Sequence, residues 1–454
     1  MKAGFGISII TPRLGVELAG FGPWLHRTAT GIREDLETRA VAVEDNDGRI
    51  VVIAACDIIS LPQEVISCVR DLVRKKYPDL TDAQLMICAT HTHSGPAVRD
   101  FRGWGCADSP FVRTLPQRIA PALIQALSSM EEVLFQVTKV PCTGIGINRM
   151  HESRTPEPEE VFADGWQPEH PEFTDTETTV AGFFRKKDRS LAGFLCNFGC
   201  HPVSCCAENS IIHGDYPGLA MHKVMAKHPG SVGVFLQGAH GDVNTGCVHQ
   251  ASEISTRALE CFSDRLAKAV ENGLSQLTEL SDEARLVWHR EELSCTIDPE
   301  FTLEFLKDAL KKQRNFLTEQ KDDTTWDAQL AAVYCDGAEA LLKQYGTTGF
   351  PKQIPAMLHG IRLNELVLLG APFEMMQGIR RQVCGVSGNT YPAVLSLCGD
   401  ALGYAPDRES AEQAKLYESK LVPLINGLLP YGNVWNELPE GLIELNRKLN
   451  NESK

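Results

Sequence analysis

The chain has 454 residues, 43% hydrophobic and 23% charged, with a formal net charge of −15. This is globular composition with length for one large core or two modest ones, so disorder is not the default. The acidity excludes nucleic-acid binding, which draws on clustered Lys and Arg, and disfavours anionic membranes. No run approaches the ~18 apolar residues of a membrane helix, and Met1-Lys2-Ala3-Gly4-Phe5-Gly6 lacks the apolar stretch of a secretory leader. A cytoplasmic protein without stable membrane insertion is expected, and homo-oligomerisation stays open. Of the 15 cysteines, Cys196, Cys200, Cys205 and Cys206 crowd together without the paired spacing of a structural zinc site, and read as reduced, mostly buried thiols.

Apolar, β-rich runs alternate with amphipathic helical stretches, which predicts an α/β fold with a mixed sheet. Strands are expected at Arg39–Val43, Ile50–Ala54, Leu85–Thr90, Thr179–Phe184, Gly193–Phe198 and Val232–Gln237. Pro62–Tyr77 places Val65, Val69, Leu72 and Val73 on one helical face, and Glu253–Leu274 does the same with Leu259, Phe262, Leu266 and Val270. His151–Asp175, rich in proline and acidic residues, reads as an exposed loop. From Pro299 to Tyr345 the pattern is helical and charged, as in a helical insertion, and Ile361–Leu369 then reads as one strand. A single catalytic domain spanning 1–454 is the economical division.

The chain holds no HExxH, GxSxG, P-loop or complete GxGxxG in a strand–turn–helix setting. It does hold polar clusters just after strand-like runs, where α/β proteins place their sites. In Thr90-His91-Thr92-His93-Ser94-Gly95-Pro96 an extended backbone would point both imidazoles the same way, to share a metal or to divide metal and substrate between them. Cys200-His201-Pro202-Val203-Ser204 repeats the placement. Gly214-Asp215-Tyr216-Pro217-Gly218 opens a helix with Pro217 in its first turn. Gly238-Ala239-His240-Gly241-Asp242-Val243-Asn244 joins imidazole, carboxylate and amide in a glycine-bearing turn.

Thr90–Pro96, Cys200–Ser204, Gly241-Asp242-Val243 and Asn148-Arg149 resemble, in order and spacing, the motif series of the neutral, non-lysosomal ceramidases, zinc amidases whose catalytic domain precedes an immunoglobulin-like domain. The resemblance runs to about Leu421. It implies that His91 and His201 ligate zinc and that His93 lies near the substrate carbonyl. Tyr404, after Leu397-Cys398, fits the family's tyrosine ligand. The family's carboxylate ligand lies in a Pro-Gly-Glu-Phe stretch; here Gly370-Ala371-Pro372-Phe373-Glu374 makes the displaced Glu374 the candidate. Asn244 stands where the family has serine, and an amide is neither nucleophile nor proton carrier. No immunoglobulin-like domain is expected within these 454 residues.

The expectation is therefore a zinc-dependent hydrolase cleaving the amide bond of a soluble small acyl substrate, such as an N-acylated amino sugar. His93, Asn244 and Arg149 would act on the substrate and Asp242 would steady a ligand histidine. A ceramidase or esterase acting on lipid, and a ligand-binding relative without catalysis, are the alternatives.

Overall fold

The computed structural model describes residues 1–413 and 417–452. Its largest sheet contains β1 (Lys2–Ile9), β2 (Glu37–Glu44), β3 (Ile50–Cys56), β4 (Leu85–Ala89), β5 (Glu131–Pro141), β6 (Glu177–Arg185), β7 (Leu191–Phe198) and β8 (Val232–Gln237). Their spatial order is β8-β7-β6-β5-β1-β2-β3-β4. The two edge pairs, β8 with β7 and β4 with β3, are parallel, and every other neighbour is antiparallel. A second sheet of β9 (Leu286–Thr296), β10 (Gln353–Leu363), β11 (Leu366–Gly370) and β12 (Tyr391–Leu395) runs in that order, with β11 and β12 parallel.

Strand alternation builds the layers. In β2, Ala40 and Ala42 face α1 (Gln63–Arg74) and α2 (Ser109–Ser128), while Val41 and Val43 face the second sheet. In β11, Leu366 and Leu368 meet that same inter-sheet core, while Val367 and Leu369 pack under a helical layer. Helices α3 (Asp215–Lys227) and α4 (Ser252–Gln276) cover the β6–β8 end of the large sheet through Met221, Val224, Phe262 and Leu266. The result is four layers, helices–sheet–sheet–helices, with mixed α/β content as the sequence pattern implied.

Between β9 and β10 stand two antiparallel helices, α5 (Leu303–Glu319) and α6 (Trp326–Tyr345). The outer helical layer also holds α7 (Gln377–Val386) and α8 (Val434–Glu452), the latter packing Leu438, Leu442 and Leu445 on the second sheet.

The six expected strands lie within β2, β3, β4, β6, β7 and β8, Leu85–Thr90 overrunning its strand by one residue. Two expectations change. Ile361–Leu369 is not one strand, because Asn364 takes a left-handed φ of 52° and turns the chain between β10 and β11. His151–Asp175 is not a bare excursion, since it carries a short helix, Pro158–Phe162. Val161 is buried with Phe162 and Trp166 against the α4 core, and the Arg265 guanidinium donates to the Val161 carbonyl at 2.9 Å.

The inter-sheet core is closely filled, leaving only about 10 Å³ around Ile53, Phe183, Leu286 and Leu368. Leu368→Ala is expected to lower unfolding stability by about 3 kcal/mol, the usual cost of truncating a buried leucine where neighbours cannot collapse. Urea unfolding measures it, and an unchanged midpoint would mean that the sheets are not packed through this residue.

Candidate metal centre

Four strand ends of the two sheets converge on one point. His91 follows β4, His201 follows β7, His240 follows β8, and Glu374 follows β11. β4 and β8 are opposite edges of the large sheet, yet its twist brings them together, with β8 approaching both β3 and β4. The segment after β12 bridges them. Ser396 N–H donates to the Gln237 carbonyl of β8 at 3.0 Å, the Leu397 carbonyl accepts from Ala89 N–H of β4 at 3.2 Å, and Gly399 N–H donates to the Ile87 carbonyl at 3.0 Å.

The ligand atoms of His91, His201, His240 and Glu374 all lie within 4.8 Å of one another. Each imidazole is held by its other nitrogen. His91 Nδ1 is 2.6 Å from the Ile59 carbonyl, His201 Nδ1 is 2.6 Å from the His240 carbonyl, and His240 Nδ1 is 3.0 Å from the Gly238 carbonyl. A carbonyl oxygen only accepts, so Nδ1 carries the proton in all three rings and each Nε2 turns a lone pair inward. Glu374 Oε2 stands 3.4, 3.3 and 4.0 Å from the Nε2 atoms of His91, His201 and His240. Donors held about 2.1 Å from a shared ion stand roughly 3.0–3.4 Å apart at tetrahedral to right angles, so Glu374 has shared-ion spacing to His91 and His201, with His240 somewhat wider. The fully buried His240 Nε2 has no hydrogen-bond partner among the described residues, an expense that a metal in this centre removes. The residues fit a divalent cation.

Backbone constraints aim these groups. The segment through His91 is not extended: His91 sits at φ 71°, its N–H donating to the Ile58 carbonyl at 2.9 Å. The His91 and His93 rings nonetheless converge, 4.8 Å apart and edge to face, through a turn rather than through strand alternation. His93 Nε2 lies 3.2 Å from His91 Nε2, and its buried Nδ1 has no hydrogen-bond partner among the described residues. The His93 carbonyl accepts from Arg27 at 2.8 Å. Gly20, at φ 94°, packs directly on the His93 ring, where a side chain would collide with it.

Tyr404 Oη is 3.5 Å from His201 Nε2, beside the cluster, and Arg149 lies over the tyrosine ring at 5.4 Å. Arg149 is also held by the Gly241 carbonyl at 2.8 Å and the Glu418 carboxylate at 2.9 Å. Asn244, paired in a short ribbon with Ile147, lines a cavity of about 500 Å³ together with His93, Arg149, His201 and Tyr404. Asp242 hydrogen-bonds no ligand imidazole directly among the described residues. It accepts from Asn148 Nδ2 at 2.7 Å and from the Gln377 backbone N–H at 2.8 Å, the first residue of α7, because the imidazole Nδ1 atoms are already taken by carbonyls. Burial pushes its carboxyl up to about 6.

Sequence reasoning placed His240 in its turn but gave it no metal role. The signal was present, since it follows the apolar run of β8 just as His91 and His201 follow theirs. His240 is doubly tied in, because its carbonyl orients His201 and the next residue, Gly241, donates to the Met375 carbonyl beside Glu374 at 2.8 Å.

Burial lowers the imidazole pKa to about 4 at His201, well below the ordinary value at His93 and His240, and to about 3 at the buried His213. A histidine lowered on folding gives stability that is present above its unfolded pKa near 6.5 and is lost as pH falls through the folded value. The metal-free protein is therefore expected to lose thermal stability progressively from about pH 6.5 towards pH 3–4. Melting curves across that range test this, and a melting temperature rising on acidification would refute it. His240→Ala should weaken metal binding by more than about 100-fold, exceeding the 10–100-fold typical of outer-shell changes. Elemental analysis and competition with a chelating dye read that directly.

With the geometry in place, relatives can be named. Residues 1–280 match the family described as neutral/alkaline non-lysosomal ceramidase, N-terminal. A curated neutral ceramidase from Mycobacterium tuberculosis is 25% identical over 270 residues, 54% of this chain and 40% of that protein, and neutral ceramidase B from Dictyostelium discoideum is 26% identical over 291 residues, 58% and 39%. The chain thus spans about two fifths of the length of these relatives. The crystal structure of neutral ceramidase from Pseudomonas aeruginosa superimposes with a TM-score of 0.72, covering 99% of this chain and 74% of that one at 18% identity, which establishes the shared fold. The chain belongs to the neutral/alkaline non-lysosomal ceramidase family.

Proposed function

We propose that this protein is a zinc-dependent amidase, adding water across an N-acyl bond to give a carboxylic acid and an amine. The observation that carries the reading is the buried donor set itself: three imidazoles with Nδ1 tied to carbonyls, and one carboxylate, opening on a cavity. Nitrogen and oxygen donors of this kind suit zinc, with His91, His201, His240 and Glu374 as ligands and Tyr404 alongside. A bound zinc ion supplies Lewis acidity towards a carbonyl oxygen and lowers the pKa of a water to about 7.

The chain's own groups do the rest. His93, kept neutral by burial, faces the cavity and accepts a proton from the attacking water, then returns one to the departing nitrogen. The Asn244 amide donates a hydrogen bond to the oxygen that gains negative charge. Arg149, held by Gly241 and Glu418, braces Tyr404 and adds positive potential to the cavity wall. Asp242 ties Asn148 to the start of α7 and so fixes the turn that carries His240.

The lining of the cavity does not single out an amino sugar. Ceramidase relatives favour an N-acylated amino alcohol instead, and Leu25 and Trp326, 42% and 54% exposed, flank Gly22 at this cavity and give an amphiphile an apolar rim. Asn244 in place of a hydroxyl favours a second reading, a ligand-binding relative without turnover. The test is release of free amine from a panel of N-acyl amino alcohols and esters by the zinc-loaded protein. We expect turnover, falling 10²- to 10⁴-fold in His93→Ala at unchanged metal content, a span of about the size that general acid–base catalysis contributes. Stoichiometric zinc without turnover of any substrate supports the binding protein instead.

A further inference from the structure

Two cavities meet at His93, Trp104 and Tyr404. The larger, about 500 Å³, is polar where it leaves the donors, with Arg149, Asn244 and His249 in its wall. The smaller, about 80 Å³, also touches His91 and Glu374, and its wall is mainly apolar, with Ile59, Phe101, Trp104, Val422 and Ile425 outnumbering the polar Ser60 and Asn426. An amide spanning the centre must send one arm into each, and the arm without hydrogen-bonding groups goes to the more apolar wall.

Resting on the amidase reading, we infer that the small cavity is the acyl site and that it admits only a short acyl group, of two to four carbons. A dry cavity of about 150 Å³ holds the six carbons of benzene, so about 80 Å³ holds roughly three. The wall is not free to retreat. Trp104 N–H donates to the Phe101 carbonyl at 2.6 Å, and the Trp104 carbonyl accepts from Gly20 N–H at 2.9 Å. Gly103 and Gly105, at φ 80° and 131°, make the tight turn that presents the indole. Behind it, Val333 of α6 packs with Trp104, Val422 and Ile425 in one buried cluster, so the helical pair between β9 and β10 braces the acyl site from outside. Trp104 is the partition between the cavities, and removing its indole joins them.

The measurement is calorimetric binding of straight-chain carboxylates, the acyl product, to the zinc-loaded protein: acetate, propionate, butyrate, hexanoate and octanoate. The expected order peaks at propionate or butyrate, with octanoate at least about tenfold weaker, the size of an overpacking penalty against the Trp104 wall. In Trp104→Ala the optimum moves to octanoate. Ile425→Ala, a smaller change, moves it in the same direction and serves should the tryptophan variant not fold. Wild-type affinity rising without a break to octanoate, or zinc-loaded protein that binds no carboxylate, overturns the inference. The two claims separate cleanly: preferential hydrolysis of a dodecanoyl amide would keep the amidase and sink the short-acyl site, whereas a short-chain optimum in binding without hydrolysis of any amide would do the reverse.

Discussion

Everything at the metal centre depends on a short seam of backbone hydrogen bonds. Two of the donors, His91 and His240, follow opposite edges of the eight-stranded sheet, and the twist that brings those edges near needs a fastening to hold them there. Ser396–Gly399 supplies one, bonding to β8 at Gln237 and to β4 at Ala89 and Ile87. The same segment continues inward, Leu397 N–H donating to the Phe373 carbonyl and Cys398 N–H to the Ala371 carbonyl, so the stretch that delivers Glu374 hangs on it as well. Loss of the seam would open the imidazole cluster without disturbing any ligand residue directly.

The centre is electrostatically demanding. Three imidazoles and a carboxylate are buried within a few ångströms, and the resulting desolvation is tolerable only if the rings stay neutral and the inward lone pairs have something to meet. The carbonyls of Ile59, Gly238 and His240 enforce the first condition by fixing the tautomers. A cation satisfies the second. Burial also disfavours the Glu374 charge, yet the facing imidazoles hold its carboxyl well below the ordinary range, so an anionic ligand is ready at neutral pH. Tautomer, burial and charge all point to the same occupant, which is the consistency expected of a built site.

Much of the architecture was legible because burial on one face imprints a period. Ala40/Ala42 against Val41/Val43 alternates visibly, and Val65, Val69 and Val73 recur at helical spacing. β1 escaped notice because Gly4 and Gly6 interrupt its apolar signal, although the structure needs them bare, their faces lying on the backbone of α2 at Ala122 and Ala126. β9 escaped because His289, Arg290, Glu291 and Glu292 sit on an edge strand that remains partly exposed. At the site, the motifs put forward His91, His93, His201, Glu374 and Tyr404, and the structure brings these side chains near one another. The partners of Asp242 were not legible, since hydrogen bonds to residues 94 and 135 positions away leave no local trace.

The structure divides labour between parts of the chain. The donors ride on strand ends, whose positions the two sheets fix together, whereas the cavity walls come from connecting segments: Phe21 and Gly22, Trp104, Trp326 of α6, and Val422 and Ile425. Strand ends cannot shift without unpacking the inter-sheet core, but the connecting segments contact the sheets less and one another more, as in the cluster of Trp104, Val333, Val422 and Ile425. Substitutions in that cluster can therefore reshape the space around the centre while the tautomers and spacing of the imidazoles persist. In a fold of this design the chemistry is held by the strand ends and the choice of substrate by the walls packed around them, so relatives with the same donors need not share the same acyl group.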